Sequence, residues 1–540
     1  MRNVVRCATA GASLVAAAVT GLPAGAQTLG SYAGDLIVSS STYTDPGFAA
    51  GSALPNSGGV TANSSSAFCS NANCSANVWN NASVDANFGI TSNLYLSDVN
   101  ATTGATDYSL NVSALAASEG ITLNTSFSSK SEDAINLTPD GTGLTFMAYD
   151  TTAGQLDVSN SNTPGSIEPG NTDTQTATYR GVGQINLFSN SLQYTTSNAY
   201  NGNNGRAAIL GSNGYYYMVG NGGNGSGSSQ TTAGTGVQLL TPGVNATANP
   251  NAPGTTQVAF YNVTQNGYAA DKPAKDNNFR GETVYNGVLY VTKGSGSNGI
   301  DTVYQVGGAG MTSSTTNPTS TTTPTMSVLP GFSTALAKST PSPTNIIDHP
   351  FGLFFANSTT LYVADEGSGS TTDLSTTPYE LGGLQKYSLV NGSWQLDYTL
   401  RGTLMGSSYT VNGTGSLAGD SLTTDVDGLR NLTGTVNANG TVTLFAVTST
   451  IGSNLGDAGA DPNQLVSITD MLSDTSASQV TGENYNVLET AALGQVLRGV
   501  EVSAVPMPAS LWLMLSGLGG IVYRLRRRTS RRAPVLAARL

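Results

Sequence analysis

Four arginines stand at matching points of a repeated unit: Gly205-Arg206-Ala-Ala-Ile, Phe279-Arg280-Gly281-Glu-Thr-Val, Leu429-Arg430-Asn-Leu-Thr and Leu497-Arg498-Gly499-Val-Glu-Val. A guanidinium is a permanently charged planar fork that matches a carboxylate or a phosphate. The chemistry open to such a set is anion recognition, or pairing with nearby acids such as Glu282, Asp427 or Glu501. Arg206 and Arg280 are 74 residues apart, Arg280 and Arg430 are 150 apart, and Arg430 and Arg498 are 68 apart. Two more positions complete the series. Glu132, in Lys130-Ser-Glu-Asp-Ala-Ile, lies 74 residues before Arg206, and His349-Pro350-Phe351-Gly352 falls midway between Arg280 and Arg430.

His349 is the only histidine. It can act as a general base, or pack at a strand start ahead of Pro350. With one histidine, neither an HExxH motif nor any two-histidine metal site can be built. No lysine follows a glycine, so there is no Walker A loop, and no G-x-S-x-G elbow occurs. Asp425-x-Asp427-Gly428 has the opening of a calcium loop, with Asp457 and Asp461 further on. That admits a structural Ca²⁺, although the distal Glu of an EF-hand is missing and Asp-Gly is also ordinary turn chemistry. No other cofactor is expected.

The elements that must position these residues are strands. Between residues 27 and 505, helical periodicity is nearly absent, and runs such as Leu289-Tyr-Val-Thr and Thr443-Leu-Phe-Ala-Val alternate with turn pairs Asn286-Gly287, Asn391-Gly392 and Asn439-Gly440. Repeats begin near 132, 206, 280, 350, 430 and 498. One unit divides into strands 280–286, 288–293, 300–306 and 326–335, and the next into 351–356, 360–365, 384–390 and 393–400. The low-complexity stretches Gly220–Gly236 and Thr312–Thr325 lengthen the repeat. The last unit holds a single strand, Leu497–Val502, and the N-terminal segments 34–40, 93–99 and 106–112 supply three more. The expected fold is therefore all-β: one β-propeller of six four-stranded blades, closed by pairing of the two terminal strands. Seven blades or a β-sandwich are the competing arrangements. The first strand of each unit lines the axis, so Arg206, Arg280, Arg430 and Arg498, with Glu132 and His349, are expected to ring one channel mouth.

Charge is divided unevenly. Of 21 cations among 540 residues, nine lie in 1–26 and 506–540, where there is no acid, so residues 27–505 carry twelve cations against 33 acids. So acidic a middle repels phosphate backbones, and no nucleic-acid partner is expected. Residues 1–26 have two arginines, an apolar run and Ala24-Gly25-Ala26, the pattern of a secretory signal peptide. Cys69 and Cys74 are the cysteines left once Cys7 is removed with it, and in an exported chain they read as a small disulfide.

The C-terminus runs Val505, Pro506, Met507, Pro508, an apolar helix over 509–523, then Arg524, Arg526, Arg527 and Arg528. This order resembles the PEP-CTERM sorting signal of Gram-negative bacteria, with Met507 where that family usually has Glu. The resemblance covers 506–540 and leaves 27–505 as the propeller. It implies transient inner-membrane anchoring, processing by an exosortase, and a place at the cell surface or in the extracellular matrix of cells that make exopolysaccharide. In the middle, His349-Pro-Phe-Gly-Leu-Phe-Phe, Leu361-Tyr-Val-Ala-Asp-Glu-Gly and Leu384-Gln-Lys-Tyr resemble an NHL-type propeller repeat, which bears on fold more than on activity. The function expected is a binding or scaffold role in the biofilm matrix, with acidic exopolysaccharide as partner. The alternative is an exported, lactonase-like, Ca²⁺-dependent propeller hydrolase. An arginine at the shared position favours the first.

Overall fold

Runs of β-branched and aromatic residues become strands here because neighbouring strands bury them on both faces. The computed structural model describes residues 27–43, 90–155, 158, 178–200, 204–221, 237–247, 259–264, 278–294, 299–307, 325–370, 374–452 and 459–503, positions 128, 340, 344, 376, 378 and 379 excepted. The signal peptide, Cys69 and Cys74, Asp457, both low-complexity stretches over most of their length, and the C-terminal segment from 504 onward lie outside these.

The chain opens with β1 (Leu36–Thr42), β2 (Thr91–Val99) and β3 (Thr106–Asn111). A short helix, α1 (Val112–Ser118), follows, its first turn capped by the Asn111 side chain accepting the Ala114 N–H. After β4 (Thr125–Ser126), which pairs with β2, come β5 (Asn136–Leu137), β6 (Gly143–Tyr149), β7 (Arg180–Asn186) and β8 (Leu192–Ser197). The next set is β9 (Gly205–Leu210), β10 (Tyr216–Gly220), β11 (Val237–Leu240) and β12 (Ala259–Thr264). Then follow β13 (Phe279–Tyr285), β14 (Val288–Lys293), β15 (Thr302–Val306) and β16 (Thr325–Val328). The fifth set is β17 (Pro350–Asn357), β18 (Thr360–Asp365), β19 (Gly383–Val390) and β20 (Ser393–Leu400). The sixth adds a short leading strand, β21 (Ser408–Asn412), to β22 (Ser421–Val436), β23 (Thr441–Gly452), β24 (Gln464–Met471) and β25 (Asn486–Thr490). Last is β26 (Gln495–Val502).

Within each set the strands pair antiparallel in chain order, and each set is one blade. The closing blade joins the chain ends. β1 pairs with β2 on one side and with β26 on the other, Leu36 facing Val502 and Thr42 facing Gln495. The fold is a six-bladed β-propeller.

A side-chain donor crosses each of the six blade junctions to a main-chain carbonyl at or near the inner strands. Going round, Ser39 Oγ donates to Asp133 O at 2.6 Å, Asn136 Nδ2 to Ala208 O at 3.1 Å and Arg206 Nη1 to Phe279 O at 2.9 Å. The circle continues with Thr292 Oγ1 to Phe351 O at 2.7 Å, Ser449 Oγ to Glu366 O at 2.5 Å, and Asn431 Nδ2 to Arg498 O at 2.7 Å. Apolar clusters fill the space between blades, for example Val219, Val291 and Val363 across the third to fifth, and Tyr362, Leu429 and Ile468 across the fifth and sixth.

Three details depart from expectation. Blades three and four are not separate sheets, because β12 and β16 pair in parallel at their outer edge, Asn262 facing Thr325. The strand expected over 326–335 ends at Val328, since the chain turns at Pro330-Gly331, where Gly331 has φ 95°. The inner strand of blade six starts at Ser421, well before 430, because its first residues pair with β21.

Candidate axial site

Each of the four arginines lies on the innermost strand of its blade: Arg206 on β9, Arg280 on β13, Arg430 on β22 and Arg498 on β26. All are buried, at 2–4% exposure. The glycines that follow Arg280 and Arg498 explain how the strands come so close there. A Cβ on Gly281 would lie 2.2 Å from Phe351 O, and one on Gly499 would lie 2.6 Å from Ile135 N. Inner strands of adjacent blades therefore meet backbone to backbone, and the arginines project into a narrow shared space.

Glu366 is the hub of that space. Its Oε1 lies 3.4 Å from Arg280 Nη2 and its Oε2 lies 3.1 Å from Arg430 Nε, so one carboxylate ties blades four and six across blade five. Its backbone is held by the Glu366 N–H donating to His349 O at 3.0 Å. The Arg280 guanidinium also sits 5.7 Å from the Phe351 ring centre. Arg206 donates to the Asn278 side chain and Arg498 Nη2 donates to Phe127 O at 2.6 Å.

Glu132 lies just ahead of β5 and accepts from Tyr149 Oη at 2.6 Å and from Ser126 N at 3.0 Å. Arg180, which opens β7, packs 5.2 Å from the Tyr149 ring centre. The electrostatics tie these groups together. Burial lowers the basicity of Arg206, and the Arg280 charge lowers it further, while Glu366 and Glu132 act in the opposite sense. Asp133 is pushed up to about 7, by burial and then by the Glu132 charge, against Thr125 and Arg498.

His349 stands at the rim rather than among the guanidiniums. Its Nδ1 is 3.1 Å from Gly294 O and 3.7 Å from Asp301 Oδ2, and Asp301 is held by Lys293 Nζ at 2.5 Å. Beside it, Asp348 and Asp365 share the Gln385 amide at 2.8 and 3.3 Å. Burial and the neighbouring Asp365 push Asp348 up to about 6.

The acids foreseen as arginine partners lie elsewhere or act differently. Among the described residues neither carboxylate oxygen of Glu282 has a hydrogen-bond partner, and burial raises its carboxyl well above the usual range. Glu501 accepts from Thr433 Oγ1 at 2.9 Å and is pushed up to about 7 by burial. Asp427 accepts the Gly369 N–H at 2.7 Å. An axial cavity next to the arginine layer is bordered by Asn136, Glu282, Thr283, Asn431 and Glu501.

Asp425 and Asp427 lie inside β22, not in a loop, and Asp461 accepts from Thr424 Oγ1 at 3.2 Å. Among the described residues no group of three or more His, Cys, Asp or Glu side chains is placed to hold a metal ion. Arg180 and Glu366 were not among the residues singled out in the sequence. Glu366 had a signal, the Asp365-Glu366-Gly367 end of the NHL-like motif, whereas Arg180 stands outside the arginine register.

No protein family matches the chain, and no curated protein matches it. Among solved structures, it is similar to a thermostable family-43 glycoside hydrolase at 12% identity and a TM-score of 0.24, covering 70% of this chain and 95% of that one. It is also similar to the extracellular domain of a hybrid two-component system of B. thetaiotaomicron, at 11% identity and a TM-score of 0.14, covering 74% and 62%. Among the described residues no helix is long and apolar enough to cross a membrane.

Proposed function

We propose that this chain is an exported propeller, sorted to the cell surface through its C-terminal segment, that serves as a binding or scaffold protein of an exopolysaccharide matrix. Its axial arginine layer takes an anionic group, the carboxylate of a uronic-acid unit. The observation that carries this is the charge balance at the axis. Arg180, Arg206, Arg280, Arg430 and Arg498 are buried around Glu132, Asp133 and Glu366, and burial followed by the Glu132 charge pushes Asp133 up to about 7. Arg206 bears the cost most directly, disfavoured by burial and then by Arg280, and among the described residues its buried Nε has no hydrogen-bond acceptor. An incoming carboxylate would relieve both.

The test is binding of an oligouronate against a neutral oligosaccharide of equal length, by calorimetry. Arg206→Gln should bind the oligouronate at least tenfold more weakly, and Arg206→Lys, which keeps the charge but not the fork, should fall between. Unchanged oligouronate binding by folded Arg206→Gln overturns the reading. Sorting has its own test: surface-released protein should have the mass of a chain ending near Val505–Pro508, and a mass that includes Arg524–Leu540 contradicts it.

The hydrolase alternative draws on a different observation, two carboxyls raised in basicity, Glu282 and Glu501, bordering one cavity. Hydrolysis of a lactone or glycan panel that is lost in Glu282→Gln would favour it over the binding role.

A further inference from the structure

Thr125 stands between two carboxylates. Its Oγ1 lies 3.1 Å from Glu132 Oε2 and 2.6 Å from Asp133 Oδ2. A hydroxyl has one proton to donate. It can satisfy one of these oxygens, and the second contact becomes favourable only when a carboxyl itself carries a proton. Both carboxyl residues are buried, Glu132 at 2% and Asp133 at 0% exposure. Their backbone is held rigidly. Asp133 has φ 60°, a left-handed conformation uncommon for a residue with a side chain, while Ser39 Oγ donates to its carbonyl at 2.6 Å and Gly499 packs against that same oxygen.

The charged and titratable groups around the pair come from several elements. Arg498 approaches from β26, Arg180 from β7 and Arg206 from β9, and Tyr149 on β6 donates to Glu132 Oε1 at 2.6 Å. Two adjacent acids beside three guanidiniums differ from one acid beside them by the whole charge of one ligand carboxylate.

We propose that Asp133 carries a proton beside the Glu132 carboxylate, and that this proton switches the axial anion site. With it, the layer keeps its positive excess and takes the anion. Without it, the second carboxylate supplies that charge internally. The inference rests on the anion-site reading above. By linkage, anion binding draws a proton onto Asp133, and affinity falls by up to about tenfold per pH unit above about pH 7. Acidification strengthens binding until Asp133 is protonated throughout.

The experiment is calorimetric titration of the purified chain with a triuronate, whose carboxylates stay ionised across the range, at pH 5.5, 7 and 8.5. Two buffers of different ionisation heat report the protons exchanged. Wild type should take up protons at pH 7 and bind at least tenfold more weakly at pH 8.5 than at pH 5.5. Asp133→Asn keeps the size and suits φ 60°, so it should bind at pH 8.5 as wild type does at pH 5.5, without proton uptake. Thr125→Val is a second variant, expected to move the pH midpoint while binding persists. Wild-type affinity that is independent of pH, with no proton uptake, overturns the switch and leaves the anion site standing. No binding at any of the three pH values removes the anion site and the switch with it.

Discussion

Gly281 and Gly499 each follow the ring arginine of an inner strand, Gly352 follows Phe351, and each of the three faces the backbone of the next blade. For Gly281 the obstacle is rigid, since its missing Cβ would lie 2.2 Å from the Phe351 carbonyl oxygen. Gly281→Ala should therefore destabilise by about 2 kcal/mol or more, read from a denaturant midpoint at unchanged slope. The Arg-Gly pairs were visible as a motif, but the reason for the glycine was not, because it belongs to a neighbour some seventy residues away in the chain. Asp98 is a second residue-scale case. It is fully buried on β2 with neither carboxylate oxygen hydrogen-bonded among the described residues, and burial, then Asp35, then Asp107 push it up to about 7. A raised carboxyl binds its proton more tightly folded than unfolded, so its stabilising effect is full in acid and lost as pH rises to about 7. Asp98→Asn should gain about 1 kcal/mol at pH 8, be neutral near pH 4, and flatten the dependence of melting temperature on pH.

At the scale of elements, the hairpins were the most legible feature. Asn286-Gly287 and Asn391-Gly392 both take left-handed backbone angles, with φ 49° and 74° in the first and 52° and 81° in the second, as two-residue turns between twisted strands require. Strands 288–293, 360–365 and 393–400 match the reading from local pattern. What holds blade to blade was not legible. Lys386 on β19 meets Asp470 on β24 at 2.8 Å, and Tyr398 on β20 donates to the same carboxylate at 2.7 Å, with Lys386 and Asp470 at 0% exposure. Tyr362 donates to it as well. Lys386→Met should cost roughly 3–5 kcal/mol, because it leaves Asp470 buried without a cation. Adding Asp470→Asn should return part of that loss, and a double-mutant cycle measures the coupling. If the two changes add independently, the pair does not bind these blades together.

At the scale of the molecule, closure decides stability. β26 is the inner strand of a blade whose other strands come from the opposite end of the chain, and Leu36–Thr42 pairs with it along its length. Deleting 36–42 leaves β26 and β2 each with an unpaired edge and opens the ring. It should remove a large part of a stability of typically 5–15 kcal/mol and promote association through those edges. An unchanged melting temperature, with a monomer by light scattering, would contradict a ring closed by both termini.

The repeat, the strand pattern and the missing partners of the last strand were enough to derive an all-β ring of six units from the amino-acid sequence alone. Each is a local or periodic property, and each unit must bury the same alternating faces. The acids beside each arginine were decided by the tertiary structure. Glu366 reaches Arg280 and Arg430 from a loop between them, and Arg180 reaches Tyr149 and Glu132 from the third strand of its blade, β7. Which side chains converge on an axis depends on how adjacent blades seat against one another. That seating is set by contacts such as Gly281 against Phe351 and Asn431 against Arg498, which link residues far apart in the chain and leave no local signal.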